Sequence, residues 1–278
     1  MTEKRLLAVI LGLFILLGVT YAVTTPVFEA SDELWHYPMI QHLANGNPLP
    51  VQVFDPALAG PWKQEASQPP LYYYLGAALT FWIDTSDMAQ VRWLNPHVDN
   101  GIITEDGNIN LAIHDPAWNP WQGTLLAVRI VRIFSVLLSA GTVFLTYLIA
   151  KAVAPGRPEV ALGATAVNAF LPMFLFISGA VNNDNLAILL ASLAVWLMIS
   201  DFGFRISDFG TRNTEYGTRN TKHGFRLTAT SYQLTAYWLL LGVVIGLALL
   251  TKEGTFALLP LAWGTIFMTL WARENAAA

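Results

Sequence analysis

Apolar residues in this chain fall into unbroken runs, and that clustering limits the fold more than any other feature. The runs are Leu6 to Val23, Leu125 to Ala150, Val160 to Val181, Leu186 to Ser200, Ala236 to Leu250 and Thr255 to Trp271. Runs near 20 residues match what a helix needs to cross about 30 Å of hydrocarbon. Hydrophobic residues make up 54% of the 278 against 12% charged, with mean hydropathy +0.47, too apolar for a water-soluble surface. The expected fold is all-α: a polytopic transmembrane helical bundle of about six spans with a large, partly helical first outer loop. The absence of cysteine excludes a disulfide framework, thiolate zinc sites and a cysteine nucleophile. Basic residues are too few for a nucleic-acid surface, so no nucleic-acid partner is expected.

Lys4 and Arg5 precede the first run, which leads into Thr24-Thr25-Pro26. Its 18 residues are long for a signal peptide and Thr20-Tyr21-Ala22 is a poor cleavage site, so the run reads as an uncleaved anchor. Leu71 to Ile83, 13 residues opening with three tyrosines, suits a helix lying at the interface rather than spanning. With a cytoplasmic N-terminus, ten of the fifteen basic residues then lie inside, as the positive-inside rule requires. Thirteen of the nineteen acids lie outside, so chemistry is expected on the outer face of a multi-pass protein of the plasma (inner) membrane. Five segments follow: a first span at 1–27, an outer loop with interfacial helices at 28–124, spans two to four at 125–200, a cytoplasmic loop at 201–235, and spans five and six at 236–278. The cytoplasmic loop holds a heptapeptide repeat beginning at Phe202, Phe209, Tyr216 and His223. A glycine in every unit and no apolar a/d pair argue against a coiled coil. Arg205, Arg212, Arg219 and Arg226 either face anionic lipid or belong to an expanded short DNA repeat tolerated in a loop.

Four clusters carry candidate chemistry. In Phe28-Glu-Ala-Ser-Asp-Glu-Leu-Trp-His36, Ser31 is a candidate helix cap, and Asp32/His36 and Glu29/Glu33 are each four residues apart on one helical face. A carboxylate here suits a general base toward a hydroxyl, or a divalent metal shared with His36; acids at a helix start also simply complement the macrodipole. Glu65-Ala-Ser-Gln-Pro-Pro-Leu-Tyr-Tyr-Tyr74 joins an extended segment fixed by two prolines to an aromatic helix, either a membrane belt or a sugar platform. Val181-Asn-Asn-Asp-Asn185 sets Asp184 at a span end, where an ionisable group is costly unless used. Ile245-Gly-Leu-Ala-Leu-Leu-Thr-Lys-Glu-Gly254 places Lys252 at another span end, and Arg129 and Arg132 lie near a third. These cations either snorkel to headgroups or converge on a phosphate. His97 and His114 read as loop residues.

Taken in order, these clusters resemble the polytopic GT-C type glycosyltransferases, in particular the branch of protein O-mannosyltransferases and aminoarabinose transferases. The resemblance rests on Asp32-Glu33, Gln68-Pro-Pro-Leu-Tyr-Tyr, Arg132-Ile-Phe-Ser, Asp184 and Gly246-Leu-Ala-Leu-Leu-Thr-Lys252. It implies inverting transfer of a sugar from a polyprenyl-phosphate donor to an unidentified acceptor on the outer face. Asp32 is then the general base with Glu33 beside it, Asp184 a second functional acid, and Arg132, Lys252 and Gln68 the donor-phosphate residues. Glu65, Tyr72, Tyr73 and His36 form the substrate loop. No cofactor is implied beyond a possible divalent metal, with the bilayer as the surrounding partner. The aminoarabinose branch carries an acid–lysine pair where this chain has Ser67-Gln68, with Glu65 a shifted substitute. Family members have more spans, so the resemblance also implies an N-terminal portion of a longer transferase. The rival readings are a non-catalytic protein that binds or transports lipid-linked sugars, and an inactive fragment.

Overall fold

The structure, a computed structural model, describes residues 2–30, 32–53, 55, 58–98, 110–214 and 224–277. Ser31, Asp99, Glu105, Asp106 and the repeat between 215 and 223 lie outside the described residues. The described residues are helical, with a single isolated bridge, Leu94 to Ala112, and no strand. The helices are α1 (Glu3–Thr24), α2 (Glu33–Ala44), α3 (Leu71–Thr80), α4 (Met88–Val91), α5 (Gly123–Val153), α6 (Pro158–Ala169), α7 (Pro172–Ser178), α8 (Asp184–Thr214), α9 (Gly224–Leu249) and α10 (Leu258–Ala277).

Among the described residues α1 and α5 are long and apolar enough to cross a membrane. The bent pair α6–α7 makes a third span if counted as one. At 1.5 Å per residue the 31 residues of α5 reach roughly 46 Å, more than the hydrocarbon thickness. The expected continuous span Val160 to Val181 is corrected to two helices meeting at 63°. Pro172 has no N–H for the ladder, so the chain bends at Phe170-Leu171 and restarts with Pro172 in the first turn of α7. The apolar stretches 184–200 and 236–249 of α8 and α9 are shorter helices. The loop expected at 201–235 is helical at both ends, where α8 runs on through Thr214 and α9 already begins at Gly224, and the part between them lies outside the described residues. No proline interrupts 201–235, and extending a formed helix tolerates a scattered glycine at about 1 kcal/mol each.

The helix α5 is the central column. One stripe of it, Val128, Arg132, Ser135, Val136, Ser139 and Val143, is buried at helical spacing, while Leu137 and Phe144 face outward. Against it α1 turns Phe14, Gly18 and Ala22 and leaves Val9, Leu13 and Leu16 exposed. A Cβ on Gly18 would lie 2.9 Å from Val136 Cγ1, so the two backbones approach at the distance that small residues permit.

The 28–124 connection is ordered by side chains that reach across it. Arg92 donates to the carbonyls of Leu34 at 3.0 Å and Pro61 at 2.9 Å and lies over the Trp35 ring, which Lys63 also covers. Asp87 accepts from Thr124 N at 2.9 Å and Thr124 Oγ1 at 2.7 Å, anchoring the start of α5. Gly123 is at φ +53°, and a Cβ there would lie 2.2 Å from Asp87 Oδ2, so glycine is required twice over. As expected, α3 is too short to span. It buries Tyr72, Tyr73, Gly76, Ala77 and Thr80 and exposes Tyr74, Leu75 and Leu79, with Phe81 and Trp82 beyond its end.

Candidate functional site

The segment after α1 is set by a buried ion pair. Glu33 Oε1 and Oε2 accept from Arg132 Nη2 at 2.6 Å and Nε at 2.8 Å, and both side chains are 0% exposed. Arg132 also donates to the carbonyls of Ala22, Thr25 and Pro26, saturating its guanidinium against the C-terminal end of α1. Glu33 accepts in addition from Phe28 N at 2.9 Å and Val181 N at 2.9 Å. One carboxylate thus joins the end of α1, the turn before α2, α5 and the turn before α8. This corrects two expected placements: Glu33 is turned into the interior instead of standing beside Asp32, and Arg132 is consumed by Glu33 and three carbonyls rather than presented to a donor phosphate.

The anchored turn is strained. Phe28 at φ 73° and Asp32 at φ 60° lie in the left-handed region, which a bulky residue such as Phe28 occupies only when its surroundings impose it. Asp32 occupies the N-cap position of α2 without a side-chain cap hydrogen bond.

The expected helical-face pairs of the first cluster are replaced by long-range partners. His36 Nδ1 lies 2.8 Å from Tyr73 Oη and 3.2 Å from Glu65 Oε2, and Tyr73 Oη donates to Glu65 Oε2 at 3.0 Å. This triangle joins α2, α3 and the 3₁₀ turn Lys63–Ser67, with Glu65 only 4% exposed. Burial, then Lys252, lowers the His36 pKa to about 4, so the imidazole is neutral near pH 7 and its approach to Glu65 is not an ion pair there; its ring nitrogen bonds Tyr73, which donates to Glu65. Burial pushes Glu65 up, with Asp32 and Asp184 adding to the rise while Tyr73 and Lys252 oppose it. Burial and the neighbouring Glu65 raise Tyr73.

Glu29 turns away from Glu33 toward the loop, accepting from Leu111 N at 2.8 Å and Ala112 N at 3.0 Å and contacting His114 Nε2 at 2.9 Å. Desolvation pushes its pKa up, but the His114 and backbone hydrogen bonds outweigh it and hold Glu29 below the usual carboxylate range.

The third and fourth clusters close on the second. Lys252 Nζ pairs with Asp184, and each side chain remains about a third exposed, at 35% and 37%. Buried Asn183 donates to Gln68 Oε1 at 3.4 Å and to Thr251 O at 3.3 Å, while its own Oδ1 has no partner. Tyr72 Oη lies 2.8 Å from Ser135 Oγ and accepts from Asn182 N at 3.1 Å; Leu71 N donates to Leu250 O at 2.8 Å. Tyr72 is therefore a buried staple between α3, α5 and the turn before α8.

Asp32, His36, Glu65, Gln68, Tyr73, Asp184 and Lys252 are thus drawn to one locality from four separated stretches. Asn183 and Thr251 complete it, and sequence reasoning missed them because a neutral amide and a carbonyl carry no signal of their own; the run Asn182-Asn183-Asp184-Asn185 was the available hint. Among the described residues no group of three or more His, Asp or Glu side chains is placed to hold a metal ion. Compared with family models, with curated proteins and with solved structures, the chain matches none of them.

Proposed function

We propose that this chain is a membrane glycosyltransferase module of the GT-C type that uses a polyprenyl-phosphate sugar as donor. The observation that supports it is that Asp184 and Lys252, at the ends of the apolar stretches of α8 and α9, pair beside Glu65 of the 3₁₀ turn and Asp32 at the start of α2. A lipid whose tail stays in hydrocarbon and whose phosphate sits at the boundary meets its groups there. The reading includes six spans, with the apolar stretches of α8, α9 and α10 crossing beside α1, α5 and the α6–α7 pair. The N-terminus is cytoplasmic and the site opens on the outer face of the plasma (inner) membrane.

In the reaction an acceptor oxygen attacks the anomeric carbon as the bond to the lipid phosphate breaks, inverting the centre. Asp32 takes the acceptor proton as general base. The departing electron pair stays on the phosphate, where Lys252 exchanges Asp184 for the developing charge. Asp184 holds Lys252 in place until the phosphate arrives.

The test is release of polyprenyl phosphate from a panel of polyprenyl-phosphate sugars by the full chain in lipid, with membrane extract as acceptor. Asp32→Asn is expected to remove transfer by a factor of about 10² or more with the fold intact; retention of most of the rate sinks the assignment. Movement of intact donor across the membrane without cleavage identifies a transport protein instead.

A further inference from the structure

The charges on α5 mark where a bilayer meets it. Ile133 to Ala150 is a stretch of 18 residues without a charge, lying between Arg132 and Lys151. At 1.5 Å per residue it is about 27 Å long, close to the roughly 30 Å of a hydrocarbon core. Arg129 stands one turn before Arg132, about 4.5 Å further along the axis, within a headgroup layer of about 5–7 Å on each side. The two arginines leave the helix about 60° apart. Arg132 points inward and is saturated by Glu33 and three carbonyls, whereas Arg129 is partly exposed.

Arg129 Nη1 donates to the carbonyl of Pro120, and its guanidinium carbon lies 5.4 Å from the centre of the Trp121 ring. Neither partner carries a charge. Its Nε is buried and has no hydrogen-bond partner. The carboxylates of adjoining segments are taken up elsewhere: Glu33 by Arg132, Asp87 by Thr124 and Asp115 by Ala117 N. The guanidinium therefore brings an uncancelled positive charge and a spare N–H to the level of lipid phosphates. Trp121 is 52% exposed, and an indole with an apolar body and a polar N–H suits that same layer. A phosphodiester matches this arrangement. Its two free oxygens fit the fork of a guanidinium, and its single negative charge cancels one positive charge. A small outward turn of the side chain hands Nε to one of those oxygens. Leu137 and Phe144, within about 80° of Arg129 around the helix axis, are exposed apolar side chains along which acyl chains can run.

We propose that Arg129 and Trp121 form a binding site for one anionic phospholipid of the bilayer, its phosphate on the Arg129 guanidinium and its acyl chains along Leu137 and Phe144. The site uses no residue of the Lys252–Asp184 locality and does not depend on the transferase reading.

The experiment is native mass spectrometry of the full chain in detergent, titrated with phosphatidylglycerol and, in parallel, with phosphatidylcholine carrying the same acyl chains. The wild type is expected to bind a first phosphatidylglycerol about five- to tenfold more tightly than the zwitterionic lipid, and Arg129→Met to lose that preference. No preference in the wild type overturns the proposal, as does equal affinity of wild type and Arg129→Met for phosphatidylglycerol. Trp121→Ala is expected to weaken the first binding several-fold. Because Trp121 is half-exposed, that variant is read where Arg129→Met fails to fold, and an unchanged first binding then overturns the proposal. Loss of the first lipid in Lys252→Met with retention in Arg129→Met places the lipid at Lys252 and overturns it too. A last arm adds an excess of inorganic phosphate. Persistence of the bound lipid supports the headgroup assignment, whereas its displacement makes free phosphate the ligand and overturns it.

Discussion

Two acid–base pairs, Glu33 with Arg132 and Asp184 with Lys252, each join segments far apart in sequence, yet they differ in almost every physical respect. The first is fully buried, bidentate and saturated, its spare donors spent on three carbonyls and its spare acceptor sites on two backbone N–H groups. The second is a single contact, about a third exposed, beside an unpartnered amide oxygen. A saturated buried pair fixes geometry and cannot exchange partners without leaving a bare charge in low dielectric. An unsaturated, partly exposed pair holds its groups ready and gives them up cheaply. The difference teaches that charge placed at a helix end does not by itself mark a binding cation; its remaining hydrogen bonds decide.

The largest expected effect comes from breaking the first pair. Arg132→Ala strands Glu33 in the interior and frees the carbonyls at the end of α1, a loss of about 3–5 kcal/mol. It is expected to remove the folded protein from detergent-solubilised membranes, as read by size exclusion and protease resistance. Arg132→Met combined with Glu33→Gln, which leaves no bare charge, is expected to recover much of that loss. A stable, folded Arg132→Ala protein would show that the pair is not the frame described.

A smaller effect sharpens the contrast through pH. His36 is held neutral in the fold with its pKa lowered to about 4, whereas in the unfolded chain it ionises near 6.5. Between those values the unfolded chain binds the extra proton, so stability is full above the upper value and falls as pH drops toward the lower. Glu29, with its lowered pKa, acts in the same sense at lower pH: its contribution is present above the ordinary carboxylate value and lost as pH falls through the folded one. Glu65, raised by burial, acts oppositely, contributing below its ordinary value and losing that as pH climbs through its folded one. The net acid loss is on the order of 1–3 kcal/mol. His36→Gln is expected to flatten the slope of unfolding midpoints between about pH 6.5 and about pH 4; an unchanged slope would place the acid sensitivity elsewhere.

Gly123→Ala tests the frame without touching a charge. The left-handed φ and the 2.2 Å approach to Asp87 Oδ2 predict a loss of about 1–2 kcal/mol and a displaced start of α5. Thermal unfolding checks this, and a neutral outcome would mean that the Asp87 anchor bends freely.

The all-helical character and the short α3 were legible because apolar run length and aromatic flanking are local properties. The bend before Pro172 was equally local, yet an unbroken count of apolar residues passed over it. The four site clusters were legible as residue types, but partner choice was not. Asp32 and His36 stand four apart and invite pairing, whereas His36 meets Tyr73 and Glu65, brought in by α3 packing on α2 where a Cβ on Gly76 would lie 2.7 Å from Ile40 Cδ1. Arg132 and Lys252 each sit near a helix end in sequence, and nothing local to either tells which one is saturated. That depends on the carbonyls of Ala22, Thr25 and Pro26, more than a hundred residues away from Arg132.

The smallest expected effect on stability tests the second pair directly. Lys252→Met removes a partly exposed contact, whose median worth is about 0–1 kcal/mol, so the unfolding midpoint is expected to move little. Under the proposed chemistry the same substitution removes the cation that receives the leaving phosphate, a loss of about 10²–10³ in transfer rate. Arg132→Ala is expected to show the reverse order, losing the fold before any rate can be read. Measured on one preparation, midpoint and rate together distinguish the pair that holds the protein from the pair that serves the ligand. If Lys252→Met lowers the midpoint as far as Arg132→Ala does, the two pairs are equivalent parts of one frame and the donor phosphate must be sought away from Lys252.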